Sequence, residues 1–185
     1  MKYIALLSLV SCATVQPRLM RWRDGTAARL CESDRLVIFV AVTNEDLVDR
    51  TREAAELWNE WLGHDLFIVT DKATVIMGGE AWVSLDEQPL GNPAWRGIAQ
   101  LQGRTGNCGE YGSISIAPVS RELIDLQITA IIAHELGHLL GLQHTPFASD
   151  LMWPHIHTSK TVLFRVPPPA DEQLEWARNA WRKDK

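Results

Sequence analysis

No hydrophobic run in this 185-residue chain is long enough to cross a bilayer as a helix. The N-terminal apolar stretch, Tyr3 to Val10 behind Lys2, falls well short of the roughly 20 residues that such a helix needs. A positive net charge is missing as well. Lys and Arg number 18 against 23 Asp and Glu, a formal charge of −5, so a nucleic-acid partner is not expected. Internal repeats are lacking, and low complexity is confined to Pro167-Pro168-Pro169, a stiff connector. Cysteine is scarce, at 3 residues. What remains is 46% apolar, enough for one soluble domain with a core of its own.

The N-terminus reads as an export signal rather than as fold. It ends in Leu9-Val10-Ser11-Cys12, which resembles the lipobox of bacterial lipoproteins. That resemblance implies a signal peptide over 1–11 and diacylation of Cys12. The chain would then be a lipoprotein anchored to the cell envelope, on a periplasmic or outer-membrane face, without crossing the membrane. An ordinary secretory signal with an incidental cysteine is the alternative. Residues 12–32 read as a tether whose Arg18, Arg21, Arg23 and Arg29 suit either anionic head groups or plain solvent. The folded domain is then 33–185. In an exported protein Cys31 and Cys108 are candidates for a disulfide; a Cys31 thiolate on a metal is the rarer alternative.

Within the domain, Leu36 to Val42 is a nearly continuous apolar run, as in a strand buried on both faces. A helix follows, capped by Thr43 or Asn44 and closed by Gly63, with Trp58 and Trp61 on its apolar stripe. At that spacing the two indoles read as core, although a ligand platform is the functional alternative. Leu66 to Thr70 and Ala73 to Met77 suit short strands. Gly78 to Arg96 reads as a loop, Gly97 to Gly103 as an edge strand, Arg104 to Gly112 as a loop and Ser113 to Pro118 as a strand. Helices are expected from about Asp125 to Leu140 and from Asp171 to Trp181. The order predicts an α+β fold: a twisted mixed sheet of about five strands with an active-site helix, a backing helix and a C-terminal helix.

The informative stretch is HELGHLLGLQH, His134 to His144. His134 and His138 stand four apart, so a helix projects both from one face. Glu135 falls beside them. Gly141 can end the helix in a left-handed conformation and return the chain to deliver His144. Three neutral imidazoles leave a tetrahedral zinc one open position, the mark of a catalytic site. The bland reading, a buried helix whose histidines only pack, would leave three imidazoles and a carboxyl without partners.

His134-Glu135-x-x-His138-x-x-Gly141-x-x-His144, followed by Met152, resembles the metzincin metallopeptidase signature and its Met-turn. The wording HELGHLLGLQHT and then DLMWP is most similar to the matrixin branch. The resemblance implies an α/β zincin-like domain, zinc on His134, His138 and His144, and Glu135 as general base to water attacking a peptide bond. It implies Met152 as a floor under the metal and Gly97, Ile98 and Ala99 as an edge that pairs with an extended peptide. Pro154 and Ile156 would line the pocket beyond the cut, where matrixins carry a tyrosine at the position of Ile156. No tyrosine follows Met152, so the tyrosine ligand of astacin-like relatives has no counterpart. Relatives use calcium structurally, but no ligand loop for it is visible. His64, His155 and His157 read as surface or satisfied histidines. A monomeric zinc endopeptidase acting on peptide or protein substrates is the expectation. A catalytically silent binding protein on the same scaffold and a narrow-specificity peptidase are the rivals.

Overall fold

The structure, a computed structural model, describes residues 28–31, 35–40, 45–70, 81–91, 96–106, 108–118, 125–154 and 165–182. Cys12, the Thr43 or Asn44 cap, the strand expected over Ala73 to Met77, and His155, Ile156 and His157 lie outside these residues.

Among the described residues, six strands and three helices follow one another as β1 (Arg29–Leu30), β2 (Leu36–Val40), α1 (Glu45–Leu62), β3 (Phe67–Thr70), β4 (Ala81–Glu87), β5 (Gly97–Thr105), β6 (Cys108–Ile116), α2 (Asp125–Leu139) and α3 (Asp171–Ala180). The mixed sheet and its helices follow the sequence reading. The sixth strand is β1, at the end of the stretch read as tether. It pairs with β6 through Arg29 with Cys108 and Leu30 with Gly109. Leu30 is fully buried, while the Arg29 guanidinium donates to the Ala180 carbonyl and lies over the Trp181 ring. Arg29 therefore braces the C-terminal helix. The disulfide of Cys31 with Cys108 ties the same segment to β6.

β3, β2, β4 and β6 run parallel in that spatial order, with β1 beside the start of β6. β5 lies antiparallel on the far side of β6 and, among the described residues, pairs with no other strand. Among the described residues it is an edge strand, in keeping with the sequence reading. β6 continues from it through a hairpin.

Two stretches read as loops are strands. Val83 and Leu85 are buried and alternate with the half-buried Ser84 and Asp86, so β4 follows the pleat despite the Gly- and Pro-rich sequence around it. In β6 two glycines serve close packing: a Cβ at Gly112 would stand 2.9 Å from Leu139, and one at Gly109 would stand 3.1 Å from Leu101. β2 is likewise not sealed on both sides. Leu36, Ile38 and Val40 face the core, and Val37 and Phe39 are half-buried.

The buried face of the sheet receives α1 and α2. Trp58 is fully buried between the layers, where its indole N–H donates to the Ala133 carbonyl at 2.8 Å. That bond fixes α1 to α2 one residue before His134, and the ring has no exposed face to offer a ligand. At the foot of α1 the Asn59 side chain accepts from the backbone N–H groups of Leu66 and Phe67 and donates to the Phe67 carbonyl. α3 closes the far end: Arg178 donates to the Trp61 carbonyl, and the Trp181 indole donates to the Leu140 carbonyl.

Candidate metal centre and active site

α2 is buried nearly all round, from Ile128 to Leu139 with only His138 partly exposed. A helix apolar over so much of its circumference belongs at the centre of a domain. Its end is a Schellman motif. The Leu142 N–H reaches back to the Gly137 carbonyl and the Gly141 N–H to the His138 carbonyl, with Gly141 at φ +104°. A side chain at Gly141 would also stand 3.1 Å from both Arg29 and Trp176. The reversal returns the chain over the helix and places His144 opposite His134 and His138.

The three Nε2 atoms form a nearly regular triangle, with edges of 3.1 Å (His134 to His138), 3.2 Å (His138 to His144) and 3.2 Å (His134 to His144). Four nitrogens about 2.0–2.1 Å from one zinc would lie roughly 3.3 Å apart, so the triangle fits one face of a zinc tetrahedron. The opposite ring nitrogens explain the orientation. His134 Nδ1 donates to the Leu151 carbonyl at 2.7 Å, and His138 Nδ1 donates to the Leu142 carbonyl at 2.8 Å. With the proton on Nδ1, each Nε2 turns a lone pair inward. Lone pairs this close repel unless a cation lies among them. Burial pushes His138 down to about 4, with the Leu142 bond opposing and the neighbouring His144 adding to the fall. His138 is thus a neutral, ligand-ready imidazole at physiological pH. His144 is exposed, so the triangle opens to solvent on that side. Among the described residues this is the only grouping of three or more His, Cys, Asp or Glu able to hold a metal.

Glu135 is buried beside the triangle and faces β5. The Ala99 backbone N–H hydrogen-bonds its carboxyl, and Gly97 lies against it. Burial pushes the carboxyl up to about 8, and the Ala99 bond only partly offsets this. One carboxyl group is thereby coupled to the edge strand and held next to three metal-ready imidazoles.

Beneath the helix runs the turn containing Met152. Met152 is fully buried, and a Cβ at Gly137 would stand 2.6 Å from its sulfur. The Met152 carbonyl accepts from the Thr145 N–H, next to His144. Gly137, Asp150 and the two carbonyls of Leu142 and Leu151 were not singled out in the sequence. A glycine inside a helix, where it costs about 1 kcal/mol, is the signal that could have exposed Gly137.

Of the residues read as substrate-binding, the structure gathers Gly97 and Ala99 at Glu135 and leaves Ile98 half-buried on the same strand. Pro154 is exposed after the turn. His64 sits outside the centre, in the turn that closes α1.

Comparison with known proteins agrees with this geometry. The model of the Matrixin family of peptidases matches residues 29–172. No curated protein matches the chain. Among solved structures, archaemetzincin from Methanopyrus kandleri superposes with a TM-score of 0.52 at 18% identity, covering 80% of this chain and 96% of that one. At that identity the likeness speaks for the fold.

Proposed function

The chain belongs to the matrixin family and is a zinc metallopeptidase of metzincin type, and from that premise we propose an endopeptidase in which Glu135 is the general base. The observation that carries this reading is the triangle of Nε2 atoms with one buried carboxyl group between it and an edge strand. Zinc, when held by His134, His138 and His144, supplies a Lewis acid that acidifies water and polarises the scissile carbonyl. Glu135 takes the proton of the attacking water and returns it to the departing amine. The Ala99 N–H holds the Glu135 carboxyl in place, and Leu142 and Leu151 hold two imidazoles in the ligand tautomer.

An internal cut requires substrate on both sides of the scissile bond. β5 offers one: its outer edge, unpaired among the described residues, would pair with an extended chain, with Gly97, Ile98 and Ala99 at the catalytic end. Pro154 and Ile156 would border the far pocket. Cys12 as a lipid anchor completes the proposal and would hold the enzyme at the cell envelope; no helix among the described residues is long and apolar enough to cross a membrane.

The test is cleavage of a generic unfolded protein with N-terminal sequencing of the fragments. We expect internal cuts, stopped by a zinc chelator and restored by zinc, and a Glu135→Ala protein that binds zinc but does not cut. An active Glu135→Ala protein would remove the general-base assignment. Release of terminal residues alone would replace the endopeptidase with an exopeptidase.

A further inference from the structure

The turn under the metal centre is held by one side chain that the mechanism above does not use. Asp150 is 3% exposed, deep for a carboxylate. Its Oδ1 accepts the backbone N–H of Met152 at 2.8 Å, and its own carbonyl accepts the N–H of Trp153 at 3.1 Å. These bonds close a tight turn of the Asx kind over Leu151 and Met152. Both carbonyls of that turn lead to ligands. Leu151 O accepts the Nδ1 proton of His134 at 2.7 Å, and Met152 O accepts the Thr145 N–H at 3.0 Å, one residue after His144. Met152 sulfur presses on Gly137, between His134 and His138 in α2.

We propose that Asp150 is the positioning residue of the metal centre: by fixing the 150–153 turn, it aims the carbonyl that orients His134 and the one that holds the backbone just after His144. The proposal rests on the zinc reading but not on peptidase activity. Leu151 N–H is tied elsewhere, to the Pro168 carbonyl, so the turn has support from the C-terminal segment. That support leaves the Met152 N–H entirely to Asp150. Without the carboxylate this N–H is buried and unpaired, and the turn relaxes toward a geometry that satisfies it. Leu151 O then moves away from His134 Nδ1. Partners that orient a ligand in this way change metal affinity about 10–100-fold when removed.

Asp150 Oδ2 has no hydrogen bond among the described residues, so exchanging it for an amide group removes no bond. Asp150→Asn keeps the acceptor and Asp150→Ala deletes it. In the full chain, zinc affinity measured by competition with a chelator should fall about 10–100-fold for Asp150→Ala and stay within about threefold of wild type for Asp150→Asn. The visible spectrum of the cobalt-substituted protein, which reports ligand geometry rather than foldedness, should shift for Asp150→Ala alone. Wild-type affinity with an unshifted spectrum in Asp150→Ala overturns the proposal, as does a loss in Asp150→Asn equal to that in Asp150→Ala. Should Asp150→Ala not fold, Asp150→Ser takes its place, since its short hydroxyl is a poorer acceptor. It should bind zinc at least about threefold more weakly than Asp150→Asn, and equal affinity again overturns the idea. Failure of the peptidase reading looks different: wild-type protein that binds zinc and cuts nothing.

Discussion

A Cβ placed on Gly97 would stand 2.6 Å from Oε1 and 2.8 Å from Cγ of Glu135, so the first residue of β5 is a glycine because the Glu135 side chain occupies the space above it. Neither contact is one a real Cβ could keep. Gly97→Ala should displace the carboxyl by a fraction of an ångström to an ångström, and errors of that size cost about 10²-fold in rate. We expect kcat to fall by about that factor, with zinc content unchanged and KM little altered. Steady-state kinetics on zinc-loaded protein decide it; an unchanged kcat would mean that Glu135 does not act from this position.

The pH dependence of the metal-free protein follows from two opposed shifts. Glu135 is raised from 4.5 to about 8, so the folded state holds a proton that the unfolded state releases, and stability drops as pH climbs through that interval. His138 is lowered from 6.5 to about 4, so stability instead rises with pH between about 4 and 6.5. The slopes cancel where the intervals overlap. What remains is a fall between pH 6.5 and about 8 owed to Glu135. Thermal melts in chelator should show that fall in wild type and not in Glu135→Gln. Identical profiles for the two proteins would refute the buried carboxyl.

Cys31 and Cys108 are 77 residues apart, and cross-linking a loop of that length removes about 4 kcal/mol of unfolded-state entropy in the chain-entropy account. Replacing both by serine should lower the unfolding free energy by several kcal/mol, up to about that figure. Urea titration of the zinc-loaded protein measures it. A change under about 1 kcal/mol would mean that the tie contributes little beyond what β1 already supplies.

Gly137→Ala tests the floor of the site. Helix propensity favours alanine by about 1 kcal/mol, but overpacking a tight core costs about 1–3 kcal/mol. The new methyl would meet Met152 sulfur at 2.6 Å and the Trp58 ring at 3.1 Å, so the packing term should win. Expected are a net destabilisation of up to about 2 kcal/mol and weaker zinc binding. A more stable variant with unchanged zinc affinity would show that the methionine simply moves aside.

The helices and the ligands were legible in the sequence because both are written at short range. A 3.6-residue period marks α1 and α3, and in α2 the four-residue step from His134 to His138 is itself about one turn of helix. Gly141 signalled the return that delivers His144, and the Schellman bonds carry it out. β4 was less visible. Its outward Ser84 and Asp86 and the surrounding Gly and Pro resemble a loop, and its strand character is settled by pairing with β2 and β6, both distant in sequence. β1 was invisible for the same reason: two residues carry no period, and Cys108 and Gly109 on β6 define them as a strand.

By itself the sequence determined the chemistry on offer: three imidazoles, one carboxyl and a helix on which to mount them. Tertiary structure decided which proton sits where. Leu142 and Leu151 carbonyls select the tautomers, Ala99 and burial set the state of Glu135, and Asp150 holds the turn that brings one of those carbonyls into place. The reason is physical. Ligand spacing along a helix is a local property, whereas tautomer and protonation depend on hydrogen-bond partners and desolvation supplied by segments far away in the chain.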